Sequence, residues 1–336
     1  MFKKALMLRA EVPPDKERIT FSSLEECDDM WTHLFCKLCE EMNMDGEIWH
    51  YNGGPRKVRY TNKVIERWIP NLKAKIDSYS FDFVFARGGF SEYIPVIKVL
   101  DSQKCFKMYY GAGKRFFPIP RNSYNLVLVD SKEQKRLIKQ HLPNQKVSLF
   151  IKPAAENIFN PVKVKKKYDV CVSFQLASYT KRFPLIIDSV KEGNLSTLII
   201  GDVKEDLQKE VKKTYSNKIT FAGRRKRKEL PKLYSECKVG LATHSSLESC
   251  PRVIPEFLAC DLPIVVTNDT LFWKEKYIDF KRTGFTVLPD PSYIAKAIQV
   301  IIKERESFDP RRFYMENLTL EKSSKHLVSI IEGSYK

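Results

Sequence analysis

Two glutamates, Glu248 and Glu256, stand in the stretch ESCPRVIPEFLACDLP at residues 248–263, directly after the apolar run at 239–242. The pattern predicts a buried strand, a loop carrying the first acid, and a helix carrying the second two turns along. Such an arrangement is suited to binding. Ligands of open α/β sheets sit beyond the carboxyl ends of the strands, where a starting helix offers free backbone N–H groups to an anion. Here the backbone of Pro251, Arg252 and Val253 would face that anion. Carboxylates on either side suit paired hydroxyls, such as those of a sugar and a ribose.

The elements that hold such a site need a long chain, and 336 residues are enough for two α/β domains with separate cores. A hydrophobic content of 43% and a charged content of 29% describe a soluble globular protein. No run of about 18 apolar residues occurs, and the first nine residues, MFKKALMLR, are too short and too charged for a signal peptide. The expected location is the cytoplasm. Eight scattered cysteines exclude a small disulfide scaffold, and the CKLC of Cys36 and Cys39 lacks a second pair to complete a zinc site. Those two thiols are expected to pack a helix, and no metal is expected. The net charge of +17 attracts polyanions without choosing among nucleic acid, anionic lipid and phosphorylated substrates.

Apolar and turn residues alternate along both halves. The first half predicts strands at 4–10, 48–51, 81–86, 107–110 and 125–129. Helices are predicted from Ser22 or Ser23 through Leu38, at 62–76, at 93–100 and at 133–141. The glycine loops at 87–89 and 111–115 complete neither a dinucleotide fingerprint nor a P-loop and read first as turns. The basic stretch at 163–167 reads as a linker. The second half repeats the rhythm, with strands at 168–174, 196–200, 218–221, 239–243, 264–267 and 285–288 and helices at 183–190, 229–237 and 292–303. The expected domains are 1–160 and 161–318, with a helix in 319–336 returning to the first.

Several motifs fall in order within this second half: Phe221-Ala222-Gly223, then Glu229 to Tyr234 as ELPKLY, then Ser245-x-x-Glu248, Glu256-x-x-Ala259-Cys260 and Pro263-Ile264-Val265-Val266. Over about residues 168–300 the chain resembles the donor half of retaining GT-B glycosyltransferases of family 4, the glycogen-synthase-like type. The resemblance implies an α/β GT-B fold of two Rossmann-like, doubly wound parallel-sheet domains facing a cleft. It also implies a nucleotide-sugar substrate, no cofactor and no metal.

By that resemblance Glu248 accepts from the transferred sugar and Glu256 from the ribose, with Gly223 and Arg224 bordering the donor. Lys181 and Arg182 lie where the family keeps a cation on the diphosphate. The family's arginine after the preceding strand is replaced by Ser173-Phe174-Gln175, and Arg252 is the expected substitute. The first half matches less well. Glu11-Val12-Pro13-Pro14 stands in place of a glycine loop, and Arg87 in place of a histidine, so Arg87, Gly88 and Gly89 are the expected acceptor-side wall, with His50 as an alternative.

The implied chemistry keeps the anomeric configuration, with the donor phosphate helping to deprotonate the acceptor; the absence of any Asp-x-Asp agrees with metal independence. The run of five cations at 224–228 would meet the nucleotide, or dock on anionic lipid or nucleic acid. Synthesis of a cell-surface glycan or lipid-linked saccharide at the inner membrane face leads the readings. Transfer to a DNA base, or a non-catalytic GT-B module that binds polyanions, are the alternatives. Oligomeric state is not legible.

Overall fold

The computed structural model describes residues 2–9, 23–27, 29–50, 57–69, 80–87, 104–111, 124–177, 181–215, 218–245 and 250–335. The chain divides into two compact units, Met1–Ile151 with Leu320–Lys336, and Lys152–Thr319. Helices among the described residues are α1 (Met30–Glu41), α2 (Lys132–His141), α3 (Phe183–Glu192), α4 (Glu205–Thr214), α5 (Leu230–Ser235), α6 (Val253–Ala259), α7 (Pro291–Lys303), α8 (Pro310–Asn317) and α9 (Leu320–Tyr335).

In the first unit, β1 (Lys4–Arg9), β2 (Asp45–His50), β3 (Lys57–Arg59), β4 (Val64–Trp68), β5 (Phe83–Arg87), β6 (Phe106–Gly111), β7 (Leu126–Val129) and β8 (Val147–Leu149) form one sheet. Its order is β3-β4-β2-β1-β5-β6-β7-β8, parallel throughout except for the edge strand β3. Strands buried on both faces need apolar residues at every position rather than alternately. In β1, Ala5 and Met7 enter the core shared with α1 and α9, and Leu6 and Leu8 enter a second core with Trp49, Val127 and Ile138. Phe83 and Phe85 against Val84 and Ala86 repeat this division in β5.

Two expectations for this unit need correction. The helix beginning at Ser22 or Ser23 starts instead at Met30, where the Asp29 carboxylate accepts from the Thr32 N–H at 3.0 Å. The helix expected from residue 62 is, over 64–68, strand β4 in parallel register with β2, Gly46 opposite Val64. The sequence VIERW alternates as well as it repeats at helical spacing, and the open edge beside β2 decides in favour of the strand. Its inward Glu66 is buried and receives the Tyr60 hydroxyl. The helix expected at 93–100 lies outside the described residues.

The second unit holds β9 (Tyr168–Leu176), β10 (Thr197–Asp202), β11 (Ile219–Gly223), β12 (Cys237–Ala242), β13 (Ile264–Thr267) and β14 (Gly284–Val287). All are parallel, in the order β11-β10-β9-β12-β13-β14. The chain therefore builds outward from β9 in one direction, then returns to β9 and builds outward in the other. Between β9 and β12 lies the switch point, where open α/β sheets open a crevice at the carboxyl ends of the strands. Val170, Val172, Val239 and Leu241 face a core with Ile186 of α3 and Ile298 of α7. On the opposite face Gly240 admits α6 so closely that an added Cβ would stand 2.4 Å from the Phe257 ring.

Candidate active site

Lys181 and Glu256 follow β9 and β12, and Gly223 ends β11, at the carboxyl end of the second sheet. Strand β12 leads through buried Thr243, His244 and Ser245 towards the turn at 250–252 and then α6. This helix has seven residues and starts at Val253, so Glu256 lies in its first turn, one turn in rather than two. A sharper turn at Pro251, whose carbonyl accepts from the Ile254 N–H at 3.1 Å, accounts for the difference. The turn is tied down from beneath. Buried Lys152 donates from Nζ to the Cys250 carbonyl at 2.8 Å, and the buried Tyr277 hydroxyl accepts from the Lys152 N–H at 2.7 Å.

Glu256 is 5% exposed. Its Oε1 accepts from Arg227 Nη2, and its Oε2 lies 3.2 Å from the Tyr234 hydroxyl. That hydroxyl is also 3.1 Å from Ser173 Oγ, at the switch-point end of β9. Burial, with the Glu256 charge second, pushes the Tyr234 phenol well above its ordinary value, so it remains a proton donor. Arg227 lies over the Phe159 ring at 5.2 Å, Phe159 stacks on Tyr234 at 6.3 Å, and Tyr234 meets Phe257 edge-on at 4.7 Å. Arg227 belongs to the run 224–228, whose other members, Arg224, Arg225, Lys226 and Lys228, are exposed.

Lys181 and Arg182 follow β9. The Lys181 carbonyl accepts from Thr243 Oγ1 at 2.9 Å, which binds this segment to the end of β12. Arg182 adopts a left-handed backbone, φ 51°, and both of its terminal nitrogens bind Asp269, Nη1 to Oδ1 at 2.9 Å. Arg252 caps α6 from an exposed position; its carbonyl accepts from the Glu256 N–H at 3.4 Å, and its side chain has no partner among the described residues. Gly223 ends β11 at φ +66° with open space where a Cβ would stand. Glu248 lies outside the described residues.

In the first unit Arg87 ends β5, 3.5 Å from the Asp29 carboxylate and 5.4 Å above the Trp31 ring. Gly88 and Gly89 lie outside the described residues, and His50 ends β2. Sequence reasoning passed over Lys152 and Asp269, and took Arg227 only as one member of the run 224–228. Only Lys152 left a signal, as a charge set in the apolar context FIKPAA.

Burial, and after it the Lys181 charge, holds the His244 imidazole well below its ordinary value. Between that depressed value and the unfolded value of about 6.5, the unfolded chain binds a proton that the folded chain does not. Stability therefore falls as pH drops below about 6.5, by at most about 1.4 kcal/mol per unit from this group. Melting temperatures measured from about pH 7.5 down to 5.5 should show the decline, and His244→Gln should flatten it. An unchanged slope in the variant would remove His244 as its source.

Residues 154–316, nearly the whole second unit, match the family model described as glycosyl transferases group 1. No curated protein matches the chain by sequence. Among solved structures, sucrose-phosphate synthase from Thermosynechococcus elongatus is similar with a TM-score of 0.76 at 11% identity, covering 99% of each chain. HepE from Anabaena, solved with UDP and glucose, gives 0.70 at 13% identity over 98% of this chain and 100% of its own. A glycosyltransferase from Rickettsia africae gives 0.70 at 14% over 99% of both. The second unit is similar to the group 1 glycosyl transferases, and the architecture shared along the whole chain is the GT-B fold of two parallel-sheet α/β domains.

Proposed function

We propose that the chain transfers a sugar from a nucleoside-diphosphate sugar to a hydroxyl acceptor, with retention at the anomeric carbon and without a metal or cofactor. The observation that carries the reading is the buried Glu256 carboxylate in the first turn of the helix that follows β12, beside the switch point of the matched sheet, with the Lys181 segment bound to the end of β12 by Thr243. Glu256 takes the ribose hydroxyls and Glu248 those of the transferred sugar. Lys181 and Arg252 face the diphosphate across the turn at 251–253, and Gly223 and Arg224 border the nucleotide. Arg182, committed to Asp269, holds the Lys181 segment in place.

In the reaction the acceptor oxygen bonds to the anomeric carbon as the bond from that carbon to the phosphate oxygen breaks. The acceptor proton passes to the departing phosphate. Negative charge grows on the nucleoside diphosphate, where two fixed cations stabilise it most. Arg87, Gly88 and Gly89 belong to the acceptor side. The exposed Arg224, Arg225, Lys226 and Lys228, with the net charge of +17, hold the protein to an anionic membrane presenting a lipid-linked acceptor for cell-surface glycan synthesis. No helix among the described residues is long and apolar enough to cross a membrane.

Thermal shift and hydrolysis with UDP-, GDP- and ADP-sugars test the reading, with UDP-glucose first because HepE was solved with UDP and glucose. A bound donor at about 100 times its Kd should stabilise the fold by about 2.7 kcal/mol. Arg252→Ala should weaken donor binding and turnover. No shift and no hydrolysis across the panel would overturn the reading. Salt-sensitive binding to duplex DNA, with none to anionic vesicles, would move the acceptor from lipid to nucleic acid.

A further inference from the structure

Five consecutive cations follow Gly223, and one of them is turned inward. Arg227 has a side chain 16% exposed, paired with a glutamate 6% exposed, and a Phe159 ring beneath its guanidinium at 5.2 Å. The cause lies in the local chain. A short 3-10 turn at Arg227–Glu229, closed by the Glu229 carboxylate accepting from the Lys226 N–H at 2.9 Å, gives residue 227 a direction different from its neighbours. We infer that Arg227 is a positioning residue: with Tyr234 it fixes the Glu256 carboxylate so that its remaining lone pairs select a ribose diol over a deoxyribose. The inference rests on the reading of Glu256 as the ribose acceptor.

The argument is one of counting acceptor sites. A carboxylate offers about four lone-pair directions, two on each oxygen. Arg227 occupies one on Oε1 and Tyr234 one on Oε2. Among the described residues one therefore remains on each oxygen, a spacing suited to two neighbouring hydroxyls and poorly used by one. The two existing partners stop the carboxylate from rotating, and each is itself held. The guanidinium rests on Phe159, whose carbonyl accepts from Arg311 Nη1 at 3.1 Å. The same Arg311 nitrogen donates to the Ala259 carbonyl at the end of α6, 2.6 Å away. The phenol ring is packed between Phe159 and Phe257. A Glu256 released from Arg227 would keep its charge but lose its aim, and discrimination of the diol would fall more than affinity for the rest of the nucleotide.

The test is a ratio. Dissociation constants would be measured by calorimetry for UDP, GDP and ADP and for their 2′-deoxy counterparts, on the full chain. The ligand that the wild type binds should be preferred over its deoxy form by about tenfold or more, the worth of one hydrogen bond to a charged acceptor. Glu256→Gln should remove most of that preference. Arg227→Ala should reduce it to about threefold or less while binding of the deoxy form changes little, and Arg227→Lys should restore part of it. Should Arg227→Ala fail to fold, Arg227→Gln and Arg227→Lys carry the same measurement. A folded Arg227 variant lacking the guanidinium that keeps the full wild-type ratio overturns the inference and leaves the ribose reading intact. A wild type that binds a nucleotide with no preference, or binds none, overturns the ribose reading and the inference with it.

Discussion

Glu256→Gln should bind the donor at least tenfold more weakly than the wild type and should melt at a lower temperature, and the two losses have separate origins. A hydrogen bond to a charged acceptor contributes about 1.5–3 kcal/mol, or about 10- to 150-fold in affinity. That loss appears in nucleotide titrations. The second loss is present without ligand. Arg227 is mostly buried, and its countercharge is Glu256. Breaking a buried pair by removing one partner costs about 3–5 kcal/mol, and the amide oxygen that remains returns part of it. With about 2–4 °C per kcal/mol for a domain of this size, the unliganded variant should melt several degrees lower. Unchanged donor affinity would refute the ribose role, and an unchanged melting temperature would show the pair to be energetically idle.

Gly201→Ala should be more damaging to the fold than any surface substitution. Gly201 sits near the end of β10 at φ +131°, in a region that side-chain-bearing residues rarely enter. An added Cβ would stand 2.0 Å from the Phe174 carbonyl oxygen and 2.7 Å from its ring. The obstacle is backbone, which cannot rotate away, and the register of β10 against β9 already shifts there. We expect a loss of at least about 3 kcal/mol, or roughly 6–12 °C in melting temperature. Activity should fall with it, because Phe174 follows Ser173, the residue that meets Tyr234 and through it Glu256. Gly223→Ala is the control. Its φ of +66° carries a left-handed cost of about 1–2 kcal/mol, but no atom lies within 4 Å of the new methyl. Equal losses in the two variants would show that the contact with Phe174 adds nothing.

The alternation of strands and helices in the second unit was legible because strands buried on both faces leave long apolar runs that no surface element imitates. The pair Glu248 and Glu256 stood out for a related reason, as charges beside such runs. The residues that complete the site were hidden because their partners are remote in sequence. Nothing in the run of five cations distinguishes Arg227 from its neighbours until the turn at 227–229 aims it at a carboxylate 29 residues away. Arg182 reads as a free cation until Asp269, 87 residues on, arrives beside it. In the first unit β4 was misread because a short segment with apolar residues on both sides of a charge satisfies either period. The empty place beside β2 resolved it.

Helix α9 follows the second unit in the chain, yet its Leu327 and Ile331 are fully buried in the first unit's core, against α1. During synthesis this reverses the usual order of completion. When a ribosome has delivered residues 1–151, the sheet of the first unit has its strands but lacks one of its covering helices, and the apolar face of α1 stays wet. The second unit, continuous from Lys152 to Thr319, emerges whole and can close first. A nascent chain stopped before residue 320 should therefore carry a finished second unit and a first unit still recognised by chaperones.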